Sequence, residues 1–290
     1  MLLLDGKIIR ETKAVELRSA VRELGFTPTL AIVQTGSSGR SREYIAAKQK
    51  FAEEIGAAVE LVGFGNDVST DEVLYEIQRL NADPSINGII VQLPVSRDID
   101  RRVVLEAVDP SKDVDGLTAH SLRSLLENDP QGFVPATAKG ILLLLDYYHV
   151  VIEGKQVAIV GRSLLVGKTA ALAFLNRNAT VTVCHRFTND LPQATKQADI
   201  LVVAVGKSNL VGREHVSPGQ VVVDVGINVS DGEKLAEEIP APRVVGDVDF
   251  AAVKDIVAAI SPVPGGVGPM TVLALFENLL EAARRQIGTL

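Results

Sequence analysis

A phenol and an amine stand four positions apart in Tyr44-Ile45-Ala46-Ala47-Lys48. Residues at i and i+4 share a face of an α-helix, and the apolar spacing of residues 41–55 predicts such a helix. An amine beside an apolar stripe can lose its charge and act as a general base or acid. Short-chain dehydrogenases use the same Tyr-x-x-x-Lys spacing, but there it follows the nucleotide loop. Taken alone, the pair is better explained by an amphipathic surface helix.

Two further segments carry polar side chains that suit a ligand site. Gln92 ends a predicted buried strand that Pro94 stops, and ligand sites in α/β proteins lie at such strand ends. Asp113 and Asp115 stand in the segment Lys-Asp-Val-Asp-Gly at 112–116. A carboxylate there can accept hydrogen bonds from a pair of N–H donors on a substrate. The alternative is that this segment is only a polar turn.

The strongest local feature is Pro262-Val263-Pro264-Gly265-Gly266-Val267-Gly268-Pro269-Met270-Thr271. Proline restricts the residue before it, and glycine lets a backbone come close to its neighbours. The segment therefore predicts a stiff loop before a helix, with backbone N–H groups that can meet a ligand. A purely structural loop is the alternative.

A glycine turn over residues 161–167, Gly-Arg-Ser-Leu-Leu-Val-Gly, separates a predicted strand from a predicted helix. The backbone N–H groups and the helix dipole at such a turn favour a phosphate. The spacing is not G-x-G-x-x-G, so an ordinary strand-to-helix turn is the alternative.

The next strand indicates which dinucleotide the turn would bind. It ends in Cys184-His185-Arg186, without the carboxylate that holds the ribose of NAD. Arg162 and Arg186 can instead flank a 2′-phosphate, which favours NADP. The alternative is that both arginines are solvated surface residues.

A P-loop is the rival interpretation of the same region. Gly167-Lys168-Thr169 resembles the end of a Walker A motif, and the strand at 221–224 resembles a Walker B strand. Walker A has four residues between its glycines, whereas five residues separate Gly161 from Gly167. The extra residue changes which N–H groups point inward, and this disfavours a P-loop NTPase.

The elements around these residues alternate between apolar strands and helices, which predicts an α/β fold with parallel strands. We expect two domains: an N-terminal α/β catalytic domain over 1–136, completed by 268–290, and a Rossmann-type nucleotide-binding domain over 137–267. The turn-rich stretch 127–136 marks the boundary, and the C-terminal helix returns to the first domain. The predicted strands are 29–33, 59–62, 88–93, 156–160, 180–184, 200–205 and 221–225; the predicted helices are 41–55, 70–80 with Ser69 or Thr70 as N-cap, 137–148 with Thr137 as cap, 167–176 and 271–286.

Composition limits the classes of protein to consider. The 290 residues are 47% hydrophobic and 22% charged, which is typical of globular proteins. A net charge of -7 argues against nucleic acid or an anionic membrane as the main partner, although a local basic pocket can still bind phosphate. The single cysteine, Cys184, excludes an intramolecular disulfide, and the histidines form no metal-spaced pair, so we expect no metal. Without a signal peptide or a membrane span in the sequence, we expect a cytoplasmic protein.

Together these segments resemble the methylenetetrahydrofolate dehydrogenase/cyclohydrolase family, a group of bifunctional folate enzymes. The motifs of this family occur in order over nearly the whole chain, and the one at 262–271 is highly specific. The other motifs are Tyr44-x-x-x-Lys48, Val-Gln-Leu-Pro at 91–94, Lys-Asp-Val-Asp-Gly at 112–116, Gly-Arg-Ser-x-x-Val-Gly at 161–167, Asp-Val-Gly-Ile-Asn at 224–228 and Gly-Asp-Val at 246–248.

The resemblance implies NADP-dependent oxidation of 5,10-methylenetetrahydrofolate to the methenyl form, followed by hydrolysis to 10-formyltetrahydrofolate. It implies tetrahydrofolate one-carbon derivatives as ligands and one cleft between the domains for both reactions. A role in one-carbon metabolism and purine biosynthesis, and a homodimer formed through the nucleotide-binding domain, follow from the same resemblance.

The resemblance also implies a role for each site residue. Lys48 is the catalytic amine of the hydrolytic step, and Gln92 orients it and tunes its charge. Tyr44 stacks on the folate rings, and Asp115 binds the pterin. The remaining implied contacts are Val91, Leu93, Pro264, Gly265, Gly266, Val267 and Gly268 for the folate, and Gly161, Arg162, Ser163, Arg186 and Ile227 for NADP.

Several positions beside the implied cleft and cofactor loop depart from the family's usual residues, and they bear on NADP affinity and on the balance of the two activities. Because Lys48, Gln92 and Asp115 remain, we predict that both activities are kept. The alternatives are a dehydrogenase with weak or lost hydrolysis and a non-catalytic dinucleotide sensor. The departures are Leu164 for Asn, Thr169 for Pro, Ser96 for Pro, Ala136 for Cys and Ala138 for Pro.

Overall fold

The structure is a computed structural model that describes residues 1–36, 39–230 and 243–288. The chain divides into two compact units. We call them the six-stranded unit, which comprises Met1–Arg10 and Thr137–Thr271, and the three-stranded unit, which comprises Glu11–Ala136 and Val272–Leu290.

Helices and strands alternate along the described chain, as predicted for an α/β fold. The strands are β1 (Leu2–Leu3), β2 (Thr29–Thr35), β3 (Ala58–Phe64), β4 (Gly88–Gln92), β5 (Gln156–Val160), β6 (Thr180–Cys184), β7 (Ile200–Val203), β8 (Val221–Asp224), β9 (Asn228–Ser230), β10 (Arg243–Val245) and β11 (Ala259–Ile260). The helices are α1 (Gly6–Leu24), α2 (Gly39–Ile55), α3 (Thr70–Ala82), α4 (Arg101–Glu106), α5 (Ala119–Glu127), α6 (Ala136–Tyr147), α7 (Thr169–Asn176), α8 (Leu191–Lys196), α9 (Phe250–Val253) and α10 (Val267–Gln286). A π-helical turn at Leu164–Lys168 precedes α7, and a 3-10 turn spans Arg213–His215.

The sheet of the three-stranded unit is parallel, in the order β3–β2–β4. The central β2 is buried from Leu30 through Thr35, which explains its unbroken apolar run. The last helix packs in this unit, as predicted: the ring of Phe276 on α10 lies 5.4 Å from that of Phe51 on α2. Asn278 Nδ2 also donates to the carbonyl of Val114 at 2.9 Å.

The sheet of the six-stranded unit is parallel, in the order β1–β11–β8–β7–β5–β6. The strand order reverses beside β5, because β6 lies on one side of it and β7 on the other. Such a reversal leaves a crevice at the carboxyl ends of the strands, where open α/β sheets bind ligands. This is the predicted Rossmann-type architecture.

Three local features of the structure differ from those predicted from the sequence. β1 pairs with β11, and residues 1–10 therefore belong to the six-stranded unit, whereas the sequence placed them with the catalytic domain. α10 begins at Val267, inside the predicted loop, because Pro269 occupies the first turn, where proline is tolerated. α6 begins at Ala136, so Thr137 lies inside the helix and is not its cap.

The N-cap of α3 is Ser69, one of the two residues expected there. Ser69 Oγ accepts the N–H of Glu72 at 3.2 Å, and the Glu72 carboxylate accepts the N–H of Ser69 at 2.9 Å. This reciprocal capping box fixes the start of the helix. None of the helices in the described ranges combines the length and the apolar character that a membrane crossing requires.

Candidate active site

Lys48 and Gln92 meet in the three-stranded unit, where α2 supplies the amine and the end of β4 supplies the amide. Lys48 Nζ donates to Gln92 Oε1 at 2.7 Å. Gln92 Nε2 donates to the carbonyl of Leu93 at 2.9 Å, which directs the amide oxygen toward the amine. Tyr44 lies one helical turn before Lys48 on α2, and 36% of it is exposed. Val91, which precedes Gln92 on β4, is buried.

The surroundings of Lys48 make its proton easy to remove. Burial lowers the pKa of Lys48, and the negative charge of Asp115 partly opposes this shift. Burial also raises the pKa of Asp115 to about 6, while the charge of Lys48 lowers it and that of Asp113 raises it further. Desolvation disfavours the charged form of each group, so both can change protonation closer to neutral pH than their free forms.

The two carboxylates of the 112–116 segment have different surroundings. Asp113 accepts the N–H groups of Gly116 at 3.0 Å, Leu117 at 3.1 Å and Thr118 at 2.8 Å, and the hydroxyl of Ser121 at 2.7 Å. The polar-turn interpretation therefore describes Asp113.

Asp115 keeps its carboxylate available for another role. Within the described part of the chain no residue donates a hydrogen bond to it; only its backbone carbonyl is engaged, by the N–H of Ala136 at 3.2 Å. Lys112 anchors the segment at its other end, because its Nζ donates to the carbonyls of Leu80, Asn81 and Asp83 at the end of α3. A rigid segment thus presents one uncommitted carboxylate near Lys48.

In the six-stranded unit, the turn after β5 has room only for glycine at positions 161 and 167. Gly161 has a φ of 124°, and a Cβ there would lie 2.2 Å from the carbonyl oxygen of Ala204. A Cβ on Gly167 would lie 2.2 Å from the carbonyl oxygen of Gly161. Ser163 Oγ accepts the N–H groups of Val166 at 3.2 Å and Gly167 at 3.5 Å, and thus caps the π-helical turn. The result is a bare backbone cradle at the start of a helix, which suits a phosphate.

Arg162 and Arg186 converge on one exposed aromatic ring. Their guanidinium carbons lie 5.7 Å and 4.6 Å from the centre of the Phe187 ring, which is 62% exposed. Neither arginine forms an ion pair with a carboxylate in the part of the chain that the structure describes. Two uncompensated positive charges beyond the carboxyl ends of β5 and β6 suit a phosphate monoester.

The structure excludes the P-loop interpretation. A Walker A threonine offers its hydroxyl to Mg²⁺, but Thr169 is fully buried and its Oγ1 donates to the carbonyls of Leu165 and Val166. The Walker B-like Asp224 is equally committed, since its carboxylate accepts three backbone N–H groups. Neither side chain is free to hold a metal-bound nucleotide. Elsewhere in the described ranges, no cluster of three or more His, Cys, Asp or Glu side chains could hold a metal ion.

The loop around Pro264 belongs to the six-stranded unit, whereas Tyr44, Lys48, Gln92 and Asp115 belong to the three-stranded unit. The N–H of Gly266 donates to the carbonyl of Pro262 at 2.8 Å, and the N–H of Gly6 donates to the carbonyl of Gly265 at 2.9 Å. A Cβ on Gly6 would lie 2.0 Å from the carbonyl oxygen of Gly266. This close approach at the start of α1 explains the stiff loop, and its contact with a ligand stays a prediction.

The remaining predicted residues are placed as follows. Ile227 lies in the loop after β8 and is partly buried, and Leu93 directly follows β4. Val267 and Gly268 form the start of α10. The departures from the family pattern are accommodated: Ala136 and Ala138 are buried in α6, Leu164 is 41% exposed on the π-helical turn, and the N–H of Ser96 donates to Thr35 Oγ1 at 2.7 Å.

Sequence reasoning missed two residues with evident roles in the geometry. Phe187 follows Arg186 directly, yet only the structure shows both guanidinium groups at its ring. Asp247 was noted only as part of the Gly-Asp-Val motif, yet it is fully buried and accepts four hydrogen bonds. The glycines beside Asp224 and Asp247 are the one signal in the sequence that points to close packing there.

Comparison with known proteins gives matches over almost the whole chain. The family model "Tetrahydrofolate dehydrogenase/cyclohydrolase, catalytic domain" matches residues 4–115. The model "Tetrahydrofolate dehydrogenase/cyclohydrolase, NAD(P)-binding domain" matches residues 135–287. A relative from Halalkalibacterium halodurans, named Bifunctional protein FolD, is 44% identical over 285 residues, which cover 97% of this chain and 98% of that protein.

Solved structures of similar proteins agree with this. The bifunctional methylenetetrahydrofolate dehydrogenase/cyclohydrolase of Campylobacter jejuni superposes with a TM-score of 0.91 at 38% identity, covering 98% of this chain and 99% of that one. The Trypanosoma brucei methylenetetrahydrofolate dehydrogenase-cyclohydrolase, solved with NADP and an inhibitor, gives a TM-score of 0.94 at 32% identity, covering 99% of both chains.

Proposed function

Because the chain belongs to the tetrahydrofolate dehydrogenase/cyclohydrolase family, we propose that it carries out both reactions of a bifunctional enzyme. It oxidises 5,10-methylenetetrahydrofolate to the methenyl form with NADP, and it hydrolyses the methenyl form to 10-formyltetrahydrofolate. The observation that carries this proposal is the 2.7 Å hydrogen bond between Lys48 Nζ and Gln92 Oε1, at an amine whose pKa burial lowers.

Hydrolysis requires a group that takes a proton from water as the water attacks the methenyl carbon. The neutral amine of Lys48 can do this, because one of its N–H groups is held by Gln92 and its lone pair is left for the water proton. The new carbon–oxygen bond forms as the π bond between the methenyl carbon and N5 breaks; the bond from that carbon to N5 then breaks as N5 takes up a proton, which the protonated Lys48 can return. The one-carbon unit is left on N10 as a formyl group, and the hydroxyl proton of the adduct is the one released. Overall one water is consumed and one proton is released.

The residues after β5 and β6 fit NADP. The cradle made by Gly161 and Gly167, which a Cβ would fill, receives the pyrophosphate, and Arg162 and Arg186 receive the 2′-phosphate. When bound, the nicotinamide ring supplies the hydride acceptor for the oxidation. The protein contributes positioning, for which Ser163 fixes the turn and Ile227 lies in the loop after β8, two strands away from β5 in the sheet.

Asp115 and Tyr44, both in the three-stranded unit, are proposed to bind the folate. Asp115 accepts the N–H donors of the pterin, which fits a carboxylate without a hydrogen-bond donor in the described chain. Tyr44 stacks on the folate rings. The other folate contacts that we propose are Val91, Leu93, Pro264, Gly265, Gly266, Val267 and Gly268.

We further propose that the protein is a cytoplasmic homodimer that assembles through its nucleotide-binding domain. The single cysteine, Cys184, is buried and cannot form an intramolecular disulfide, which supports this location. The product, 10-formyltetrahydrofolate, would place the enzyme in one-carbon metabolism and in the supply of purine biosynthesis.

Two assays of the purified protein test the proposed function. Reduction of NADP is measured with 5,10-methylenetetrahydrofolate, and loss of the methenyl form is measured separately with no dinucleotide present. Both activities are expected. NADP reduction without hydrolysis would leave only a dehydrogenase, and NADP binding without either activity would indicate a dinucleotide sensor.

A further inference from the structure

The buried carboxylate of Asp247 connects loops that follow two neighbouring strands of the six-stranded unit. Its Oδ2 accepts the N–H groups of Val205 at 2.6 Å and Gly206 at 2.8 Å. Its Oδ1 accepts the N–H of Lys207 at 2.7 Å and the side-chain amide of Asn228 at 2.8 Å. The first three donors lie in the loop after β7, and Asn228 follows the loop after β8. We propose that Asp247 is a positioning residue for the NADP site, and this inference rests on the proposed function.

The loop after β7 lies against the phosphate cradle. The N–H of Ala204 donates to the carbonyl of Val160 at 2.8 Å, immediately before Gly161. A Cβ on Gly161 would lie 2.2 Å from the carbonyl oxygen of Ala204. The backbones of the two segments are in direct contact. A displacement of the loop after β7 would therefore displace the glycine turn as well. β5 and β7 also flank the point where the strand order reverses, which is the ligand position of this class of sheet.

The N–H groups of residues 205–207 have Asp247 as their acceptor, while farther along the loop the N–H of Asn209 donates to the carbonyl of Gly246 at 3.2 Å. Val205, Gly206 and Lys207 are exposed on its outer side, and Gly206 has a φ of 70°. Their three N–H groups point to a single carboxylate, so one side chain fixes three consecutive residues. The exposed side of the same residues is left to face a ligand. A charge-assisted hydrogen bond is stronger than a neutral one, so Asp247 suits this task better than an amide would.

A second carboxylate holds Asp247 itself in place. Asp224 Oδ1 accepts the N–H of Asp247 at 3.0 Å, and its Oδ2 accepts the N–H of Val248 at 2.9 Å. Glycines make room for both acids: a Cβ on Gly226 would lie 2.1 Å from the carboxyl carbon of Asp247, and one on Gly246 would lie 1.8 Å from Asp224 Oδ2. Hydrogen bonds thus fix Asp247 both at its backbone N–H, which donates to Asp224, and at its carboxylate.

The Asp247→Asn variant tests the inference. Asparagine keeps one oxygen and turns an NH₂ group toward N–H donors, so at least two of the four hydrogen bonds are lost. We expect the Kd for NADP, measured by calorimetry, to rise about tenfold or more. The rate of methenyl hydrolysis without dinucleotide should stay within about twofold of wild type, because the hydrolytic residues lie in the other unit.

Asp113→Asn is the matched control, since Asp113 also accepts four hydrogen bonds but beside Asp115. It should leave the Kd for NADP unchanged and impair hydrolysis. If Asp247→Asn does not fold, Asn228→Ala removes one donor to the same carboxylate and should raise the Kd for NADP by a smaller factor. An unchanged Kd in the folded variant would overturn the inference, whereas a wild-type protein that binds no NADP would overturn the proposed function instead.

Discussion

The hydrolysis that we propose depends on how the amine of Lys48 is held. Lys48 is partly buried on α2, and its partner Gln92 is itself fixed by the carbonyl of Leu93. A neutral partner leaves the effect of burial on the pKa of Lys48 intact, while a carboxylate in its place would reverse it. The amide at position 92 therefore leaves the pKa of Lys48 lowered by burial.

The Gln92→Glu variant tests this explanation. It places a negative charge next to Lys48 Nζ and raises the pKa of the amine. We expect hydrolysis at pH 7 to slow about tenfold for each unit by which the pKa rises, and to recover as the pH increases. The measurement is a pH–rate profile of methenyl hydrolysis. Gln92→Met, which adds no charge, should slow the reaction without moving the profile to higher pH, and an unmoved Gln92→Glu profile would contradict the explanation.

Asp115 predicts a second pH dependence. Its pKa is raised to about 6, mainly by burial, so it gains a proton as the pH falls through that value. The protonated acid no longer accepts hydrogen bonds on both oxygens. We therefore expect the KM for 5,10-methylenetetrahydrofolate to increase below pH 6 in the wild type. Asp115→Asn should give a KM that is high throughout and does not vary across this range. A wild-type KM that is constant between pH 5 and about 7 would argue against pterin binding by Asp115.

At the scale of the elements, the glycine turn after β5 determines how closely a strand, a loop and a helix approach one another. Gly161→Ala combines a φ of 124° with a Cβ only 2.2 Å from the Ala204 carbonyl oxygen. We expect this variant to raise the Kd for NADP about tenfold or more, because the cradle must open to admit the methyl group.

Gly154→Ala is the matched control for this element. Gly154 also has a positive φ, 72°, but a Cβ there meets nothing within 4 Å. It should cost about 1 kcal/mol of stability from backbone strain and leave the Kd for NADP unchanged. Equal effects of the two variants on NADP binding would show that the close approach at Gly161 is unimportant.

The elements also show what the sequence could predict. The apolar runs of β2, β5, β7 and β8 located those strands, because parallel strands buried on both faces have nearly continuous apolar sequences. The pairing of β1 with β11 has no such signature, since its two residues meet partners more than two hundred positions away. The same holds for Asp224, because its carboxylate accepts the N–H groups of Asp247 and Val248, which lie more than twenty positions farther along the chain. The residue types alone left Asp113 and Asp115 equivalent, and only the resemblance assigned the pterin to Asp115; the hydrogen bonds that commit Asp113 to a turn appear only in the structure.

At the scale of the whole molecule, the proposed homodimer predicts a native mass of twice 30.9 kDa. The strand β6 forms one edge of the six-stranded sheet, and Val183 on it is 39% exposed. An unpaired edge with an apolar side chain is a surface that another copy can cover. Light scattering measures the mass directly, and a value near 30.9 kDa across micromolar concentrations would contradict the proposal.

The residues that we propose for the two activities lie in different units of the chain. The most direct test of this account is an absorbance time course after the protein is mixed with 5,10-methylenetetrahydrofolate and NADP. Wild type, Lys48→Met and the control Lys50→Met, which alters an exposed lysine on the same helix, are compared.

All three proteins should form NADPH, but the methenyl product should accumulate only with Lys48→Met, whose hydrolysis falls by about a hundredfold or more. Hydrolysis by Lys48→Met at the wild-type rate, or the absence of NADPH with wild type, would contradict the account.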